Sequence, residues 1–388
     1  MNRIIIKGGE IYPIISDKFC GDIYVEDGRI TGIYARGQEI PDFDGAITYD
    51  VSGCCVIPGL IDGHTHLGIF EECTGKIGQD NNETSYPVTP EIRGLDGINP
   101  NDIGFTDALR AGVTTVMSGP GSNNAVGGLN IAMKTYGSII DKMVIKSPAG
   151  LKIAFGENPF TIYGERNMAP VTRMGVMSLI RAMFMRAQDY KRLKERGHIK
   201  YRDMGMEHVL LALDGDIPVR AHAHRADDIV SAIRLKDEFN FQLIIEHGTE
   251  AHLIKEYLRE KNVAVAIGPM LTPRVKMELK NRSYDTAVEL ARAGVRIAIM
   301  TDHPYNSVDQ LRIVAILACR QGLPQNIALQ AITINPASML RIDDRVGTLE
   351  RGKDADIVVL DGPPLDINAH VKMVFVEGKM AFNADSDL

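Results

Sequence analysis

Between residues 58 and 344, short β-branched runs alternate with longer stretches at helical spacing. That rhythm restricts the fold more than any other feature. "GVTTVMSG", "GLKIAFG", "IPVRAHAH", "FQLIIEHG", "VAVAIGP" and "VRIAIMTD" read as strands, while "DDIVSAIRLKDEF", "AVELARAG" and "IVAILACRQG" read as helices. Strand followed by helix, many times over, calls for a parallel sheet with crossover helices. Over so long a stretch, a closed (β/α)8 TIM barrel accommodates the pattern best. An open doubly wound sheet is the alternative, but no GxGxxG follows the first strand of this region.

The two ends of the chain have another texture. "RIIIKGGEIY" and "DIYVEDGRITGIYA" near the start, and "ADIVVLDG" and "VKMVFVEGKMAF" near the end, interleave Val, Ile and Tyr with Gly-containing turn signals. They predict one small composite β-sandwich built from residues 1–57 and 345–388, with the barrel between them over 58–344. Residues 71–104 are polar and lack periodicity, so they predict a long loop, a common place for function. "SGPGSNNAVGG" (118–128) reads as a glycine-rich βα loop that approaches substrate; no Gly-Lys-Ser/Thr follows to make it a phosphate cradle. The methionine-rich helical stretch around residues 177–213 suits core or subunit packing, and a homo-oligomer is expected.

Bulk composition excludes several classes. The 388 residues are 45% hydrophobic and 24% charged, with a formal net charge of −7. That balance argues against a nucleic-acid binder, which needs a basic footprint. No apolar run reaches the roughly 20 residues of a membrane span, and the N-terminus does not read as a signal peptide. Five scattered cysteines without a CxxC pair fit a reducing, cytoplasmic compartment. The expected partner is a small-molecule substrate.

The histidines carry the chemistry. Of ten, four sit at the C-terminal ends of apolar runs: His64 and His66 in "VIPGLIDGHTHLG", His222 in "VRAH" and His247 in "LIIEH". A further strand, "RIAIM", ends in Thr301-Asp302-His303. In an α/β barrel the C-terminal strand ends converge on one mouth. Residues two apart on a strand share a face, so His64 and His66 can grip one cation, with Thr65 turned away. Imidazoles with a carboxylate such as Asp302 suit Zn²⁺, with Fe, Ni or Mn as alternatives. A bound divalent ion lowers the pKa of water to about 7. Asp302 can then take the proton and pass it on to a leaving group.

"VIPGLIDGHTHLG", "VRAHAHRADD", "IIEHGTE" and "IMTDHP", with the closing "GTLERGKDADIVVLDGPPLD", together resemble the metal-dependent amidohydrolase superfamily, and within it the imidazolonepropionase-related and prolidase-like branch. The resemblance spans nearly the whole chain. It implies a distorted (β/α)8 barrel with a composite β-sandwich, one or two divalent metals, and hydrolysis of a carbon–nitrogen bond by a metal-bound hydroxide. It assigns His64 and His66 to the first strand, His222 to the fifth with His224 as its stand-in, His247 to the sixth and Asp302 to the eighth. On the fourth strand it implies a bridging ligand: either Lys152, carbamylated, or Glu157. A lysine inside a barrel is costly unless paired or modified. The remaining reading pairs Lys152 with a carboxylate and lets Glu157 orient substrate at a single metal.

For substrate contact, Arg225 directly follows "HAH" and could clamp a carboxylate, while Arg173 reads as a surface helix start. Tyr163 and His303 are expected to line the mouth. The leading reading is hydrolysis of a small amide, cyclic amide or dipeptide-like substrate. Deamination of a heterocycle on the same ligands is the second, and a non-catalytic barrel scaffold the third.

Overall fold

The computed structural model describes residues 2–38 and 43–386. Among these described residues, sixteen strands form two eight-stranded sheets. Five come first: β1 (Arg3–Ile11), β2 (Phe19–Glu26), β3 (Arg29–Ala35), β4 (Ile47–Asp50) and β5 (Cys55–Pro58). Eight follow: β6 (Leu60–Thr65), β7 (Val113–Ser118), β8 (Val126–Lys134), β9 (Val144–Ala154), β10 (Val219–Ala223), β11 (Leu243–His247), β12 (Ala264–Ile267) and β13 (Ile297–Ile299). Three close the chain: β14 (Ile357–Leu360), β15 (Val371–Val376) and β16 (Lys379–Asn383).

Strands from both chain ends share one sheet, in the order β16-β15-β14-β5-β1-β2-β3 with β4 beside β1. It is a single hydrogen-bonded path around its own core of Ile4, Ile6, Ile23, Val56, Ile357 and Phe375, among others. Two-residue alternation puts Ile4 and Ile6 of β1 inside, as a strand with one buried face requires.

The second sheet is the barrel, ordered β6 to β13. β10 to β13 are buried along almost their whole length, as expected for parallel strands covered on both faces. Helices such as Arg173–Glu195 and Ala226–Phe239 supply the outer cover. Seven strands run parallel; β8 runs antiparallel to both neighbours. This departs from the regular strand–helix alternation. Residues 119–125 are too few for a parallel crossover, which takes about a dozen or more, so the chain turns straight back. The glycine-rich stretch therefore leads into a strand and not a helix. The first half of β8, past the end of β7, is paired by the 71–104 loop through Val88–Val126 and Arg93–Leu129 bridges. That loop has only two short 3-10 turns before the helix starting at Ile103.

β13 meets β6 without a regular ladder. The Asp302 N–H donates to the His64 carbonyl at 3.1 Å, and the His66 N–H to the His303 carbonyl at 2.8 Å. The expected ligand segments are therefore what seals the barrel. A single residue, Gly59, separates β5 of the end sheet from β6 of the barrel. A Cβ there would lie 1.9 Å from Thr114 Oγ1, so only glycine passes. Among the described residues, no helix is long and apolar enough to cross a membrane.

Candidate active site

The C-terminal strand ends open into a cavity of about 440 Å³, lined by His64, His66, His222, His224, His247 and Asp302, with Lys152 at its floor. All are buried. A larger basin of about 660 Å³ lies at the opposite end of the barrel, at strand starts such as Leu243, Ala264 and Arg296, and carries no such grouping.

The histidines are aimed by local geometry. His66 and His247 donate from Nδ1 to the carbonyls of Gly119 and Gly268, both at 2.8 Å, and His224 Nδ1 is bonded with Thr249 Oγ1 at 2.8 Å. Anchoring Nδ1 leaves Nε2 for the cavity. His247 and Asp302 have positive φ, 74° and 58°. Non-glycine residues rarely hold that conformation, and when they do it is often at a functional site. Thr65 points away, donating to the Met117 carbonyl at 2.8 Å.

Potential ligand atoms fall into two trios, His64–His66–Asp302 and His222–His224–His247, each with its atoms within 4.8 Å of one another. Asp302 Oδ1 lies 3.1 Å from His64 Nε2 and 3.4 Å from His66 Nε2. Donors sharing a tetrahedral zinc stand about 3.3 Å apart, given Zn–N of roughly 2.0–2.1 Å. Both ring nitrogens of His222 are buried without a hydrogen-bond partner. Buried polar atoms are rarely left so. The residues present therefore fit a divalent cation.

Electrostatics agree. Burial pushes His222 and His224 well below the ordinary histidine value, helped by neighbouring positive groups, and takes His247 down to about 3. They are neutral imidazoles, the form that binds metal. Burial pushes the Asp302 carboxyl up, but His247, His64 and His66 outweigh it and hold the group well below the carboxylate range. It is ionised.

Beneath the trios lies a charged layer that the sequence reading passed over. Glu246 Oε1 sits 2.8 Å from His64 Nδ1 and 2.7 Å from Arg220 Nε, while Oε2 pairs with Lys152. Arg220 also donates to the Gly63 carbonyl at 2.6 Å. Burial pushes Glu246 up, but His64, Lys152 and Arg220 outweigh it and keep it ionised. The signal was available: Glu246 and Arg220 are charges inside apolar runs, "LIIEH" and "PVRAH". Glu278 was also missed. It is buried in the irregular segment after β12, with Oε1 3.7 Å from His224 Nε2, 3.9 Å from His222 Nε2 and 2.6 Å from Lys276 Nζ.

Four expected contacts lie elsewhere. Glu157 opens the helix Glu157–Gly164, does not line the cavity, and donates its backbone N–H to Glu278 Oε2 at 3.0 Å. Arg225 is turned outward into a fork on Asp227, at 2.9 and 2.8 Å, because that carboxylate lies only two residues on. Tyr163 is buried behind the cavity wall, its hydroxyl 2.6 Å from both the Tyr86 carbonyl and Asn124 Oδ1. His303 is buried beneath the site, its Nδ1 accepting from the Val308 N–H at 3.2 Å. The cation that does line the cavity wall is Lys276, held by Glu278 and by Asn158 Oδ1 at 3.0 Å. Arg173 does begin a helix, paired with Asp228 at 3.1 Å.

The profile of the amidohydrolase family matches residues 55–381. The chain belongs to the amidohydrolase family and is a hydrolase acting on carbon–nitrogen bonds. The crystal structure of an amidohydrolase from Thermotoga maritima superposes with a TM-score of 0.94 at 42% identity, covering 98% of this chain and 100% of that one. Amidohydrolase tasK of Hapsidospora irregularis is 30% identical over 99% of this chain, which spans 43% of that protein's length. A 5-methylthioadenosine/S-adenosylhomocysteine deaminase of Desulforudis audaxviator is 24% identical over 92% of this chain and 84% of its own. Imidazolonepropionases, among them that of Thermoplasma volcanium at 22% identity over 93% of this chain and 90% of its own, are also similar.

Proposed function

We propose that the chain is a metal-dependent hydrolase that cleaves a carbon–nitrogen bond in a small amide, cyclic amide or dipeptide-like substrate. The observation that carries this reading is one buried cavity in which histidine rings and the Asp302 carboxylate face each other across bonding distances. A divalent ion bound there, zinc first among the candidates, would acidify water and polarise the scissile carbonyl. His64, His66, His222 and His247 would hold it.

The chain's own groups do the rest. Asp302 accepts the proton of the attacking water as its oxygen bonds to the carbonyl carbon, then returns it to the nitrogen as the C–N bond breaks. The floor beneath, Glu246 with Lys152 and Arg220, keeps His64 oriented. Because Arg225 is spent on Asp227 and Lys276 on Glu278, the cavity favours a neutral substrate over one bearing a carboxylate.

The similarity to a deaminase supports a second reading, release of ammonia from a heterocycle on the same residues. Both are tested by assaying purified protein, with its metal content measured, against N-acyl amino acids, dipeptides, cyclic ureides and aminated purines. Asp302→Asn is expected to lower turnover by about 10²–10⁴-fold with the fold intact. Ammonia release confined to the purines would replace the amidase reading with the second. A folded, metal-free wild type without hydrolysis would overturn both.

A further inference from the structure

The basin of about 660 Å³ at the other end of the barrel is larger than the cavity at the mouth and is built differently. Its size falls within the range of about 300–1,000 Å³ usual for small-molecule sites. The floor is apolar, with Leu243, Ile244 and Met339 buried there. The walls are cationic. Lys236, Arg259, Lys261, Arg296 and Arg341 line the basin against one carboxylate, Asp214. In a chain whose formal net charge is −7, this is a local reversal of sign.

The acids nearby do not cancel that charge. Asp214 is already paired with Lys191 at 2.5 Å. Asp237 serves two lysines, 2.7 Å from Lys261 and 3.6 Å from Lys236. Arg341 donates to the Gly215 and Asp216 carbonyls, both at 2.7 Å, and so keeps its full charge. Among the described residues, Arg259 and Arg296 have no carboxylate within ion-pair distance; Arg296 donates to Ser338 Oγ at 3.0 Å. Lys236 and Arg259 close helices, where a cation answers the negative helix end. Arg296 lies outside any helix, so that effect leaves it without a counter-charge. Guanidinium groups grip phosphate oxygens through pairs of parallel N–H bonds. We propose that the basin binds a small organic phosphate, its phosphate on Arg259 and Arg296 and its body on the apolar floor. The site is separate from the mouth and does not depend on the chemistry there.

The test is isothermal titration calorimetry of the purified full chain with uridine monophosphate, phosphoenolpyruvate and inorganic pyrophosphate, and with uridine as the uncharged control. Wild type is expected to bind at least one of the two organic phosphates saturably, and uridine at least tenfold more weakly. Arg259→Ala and Arg296→Ala should each weaken that binding roughly tenfold or more, the loss expected for a hydrogen bond to a charged group. Asp302→Asn, at the far end of the barrel, should bind as wild type does. A wild-type crystal soaked with the bound phosphate should show it between Arg259 and Arg296, which decides the matter even if a variant fails to fold. No saturable binding, binding unchanged by both arginine substitutions, or uridine bound as tightly overturns the proposal. So does binding lost in Asp302→Asn, or a soaked phosphate found at the mouth, since either puts the phosphate among the histidines. Pyrophosphate bound alone also overturns it, because the basin would then hold an inorganic ion only.

Discussion

At the scale of the residue, the site depends on groups that never touch the cavity. Glu246 faces His64 Nδ1 at 2.8 Å and so fixes which nitrogen is offered to a cation. Losing such a partner typically weakens metal binding 10–100-fold. Glu246→Gln is therefore expected to lower zinc affinity by about that factor in a chelator competition; unchanged affinity would remove its orienting role. The buried imidazoles also set how stability depends on pH. Burial lowers His222, His224, His247 and His303; unfolded histidines protonate near pH 6.5, whereas His247 waits until about 3 and His303 until about 4. Within that window the unfolded chain binds more protons, so stability is lost as pH falls below 6.5. Asp62, which burial raises to about 7, and His64, raised mainly by Glu246 against its burial, act in the opposite sense. At pH 5 the carboxyls that burial raises, Asp62, Asp228 and Glu72, still oppose, three groups against four histidines. Metal-free protein should thus melt at a lower temperature at pH 5 than at pH 7, and a flat or inverted profile by calorimetry would contradict neutral buried histidines. Histidines at the ends of apolar runs were legible because position alone reveals them. Arg225 was misplaced because position says "mouth" but not direction, and Asp227 decides direction. Glu278 lies in a segment without periodicity, where nothing local marks a residue as inward.

At the scale of the element, the hairpin through β8 is where the barrel departs from its regular plan. The cavity takes one wall from the loop packed against it, since Asn81 and Asn82 line the site. That packing needs Gly128, at φ 110°, where a Cβ would come within 2.2 Å of the Ile92 carbonyl oxygen. Gly128→Ala is expected to cost about 2 kcal/mol or more in denaturant unfolding, from strain plus the displaced loop, and to weaken substrate binding. A variant as stable as wild type would show that the loop does not depend on this contact. The strands around the barrel were readable from their β-branched runs. β8 was not, because "VGGLNIAMK" opens on two glycines that signal a turn, while its pairing is decided by how short the preceding connection is.

At the scale of the whole molecule, one buried cation joins the two sheets. Lys134 of β8 lies 2.9 Å from Asp354 and 2.7 Å from Asp356, which precede β14. Removing one partner of a buried ion pair typically costs about 3–5 kcal/mol. Lys134→Met should lose stability on that order while keeping its zinc stoichiometry; loss of metal without loss of stability would mean that the joint serves the site directly. That both chain ends are β-rich was legible, but the partner of each strand was not, because pairing across the full chain leaves no local trace. The passage through Gly59 has a consequence for synthesis. β5 pairs with β1 on one side and with β14 on the other. A ribosome delivers His64 and His66 early, on a strand whose upstream anchor is still half paired, and supplies Asp302 and then β14 only near the end. A nascent chain stalled before β14 therefore carries the first two histidines without the frame that aims them.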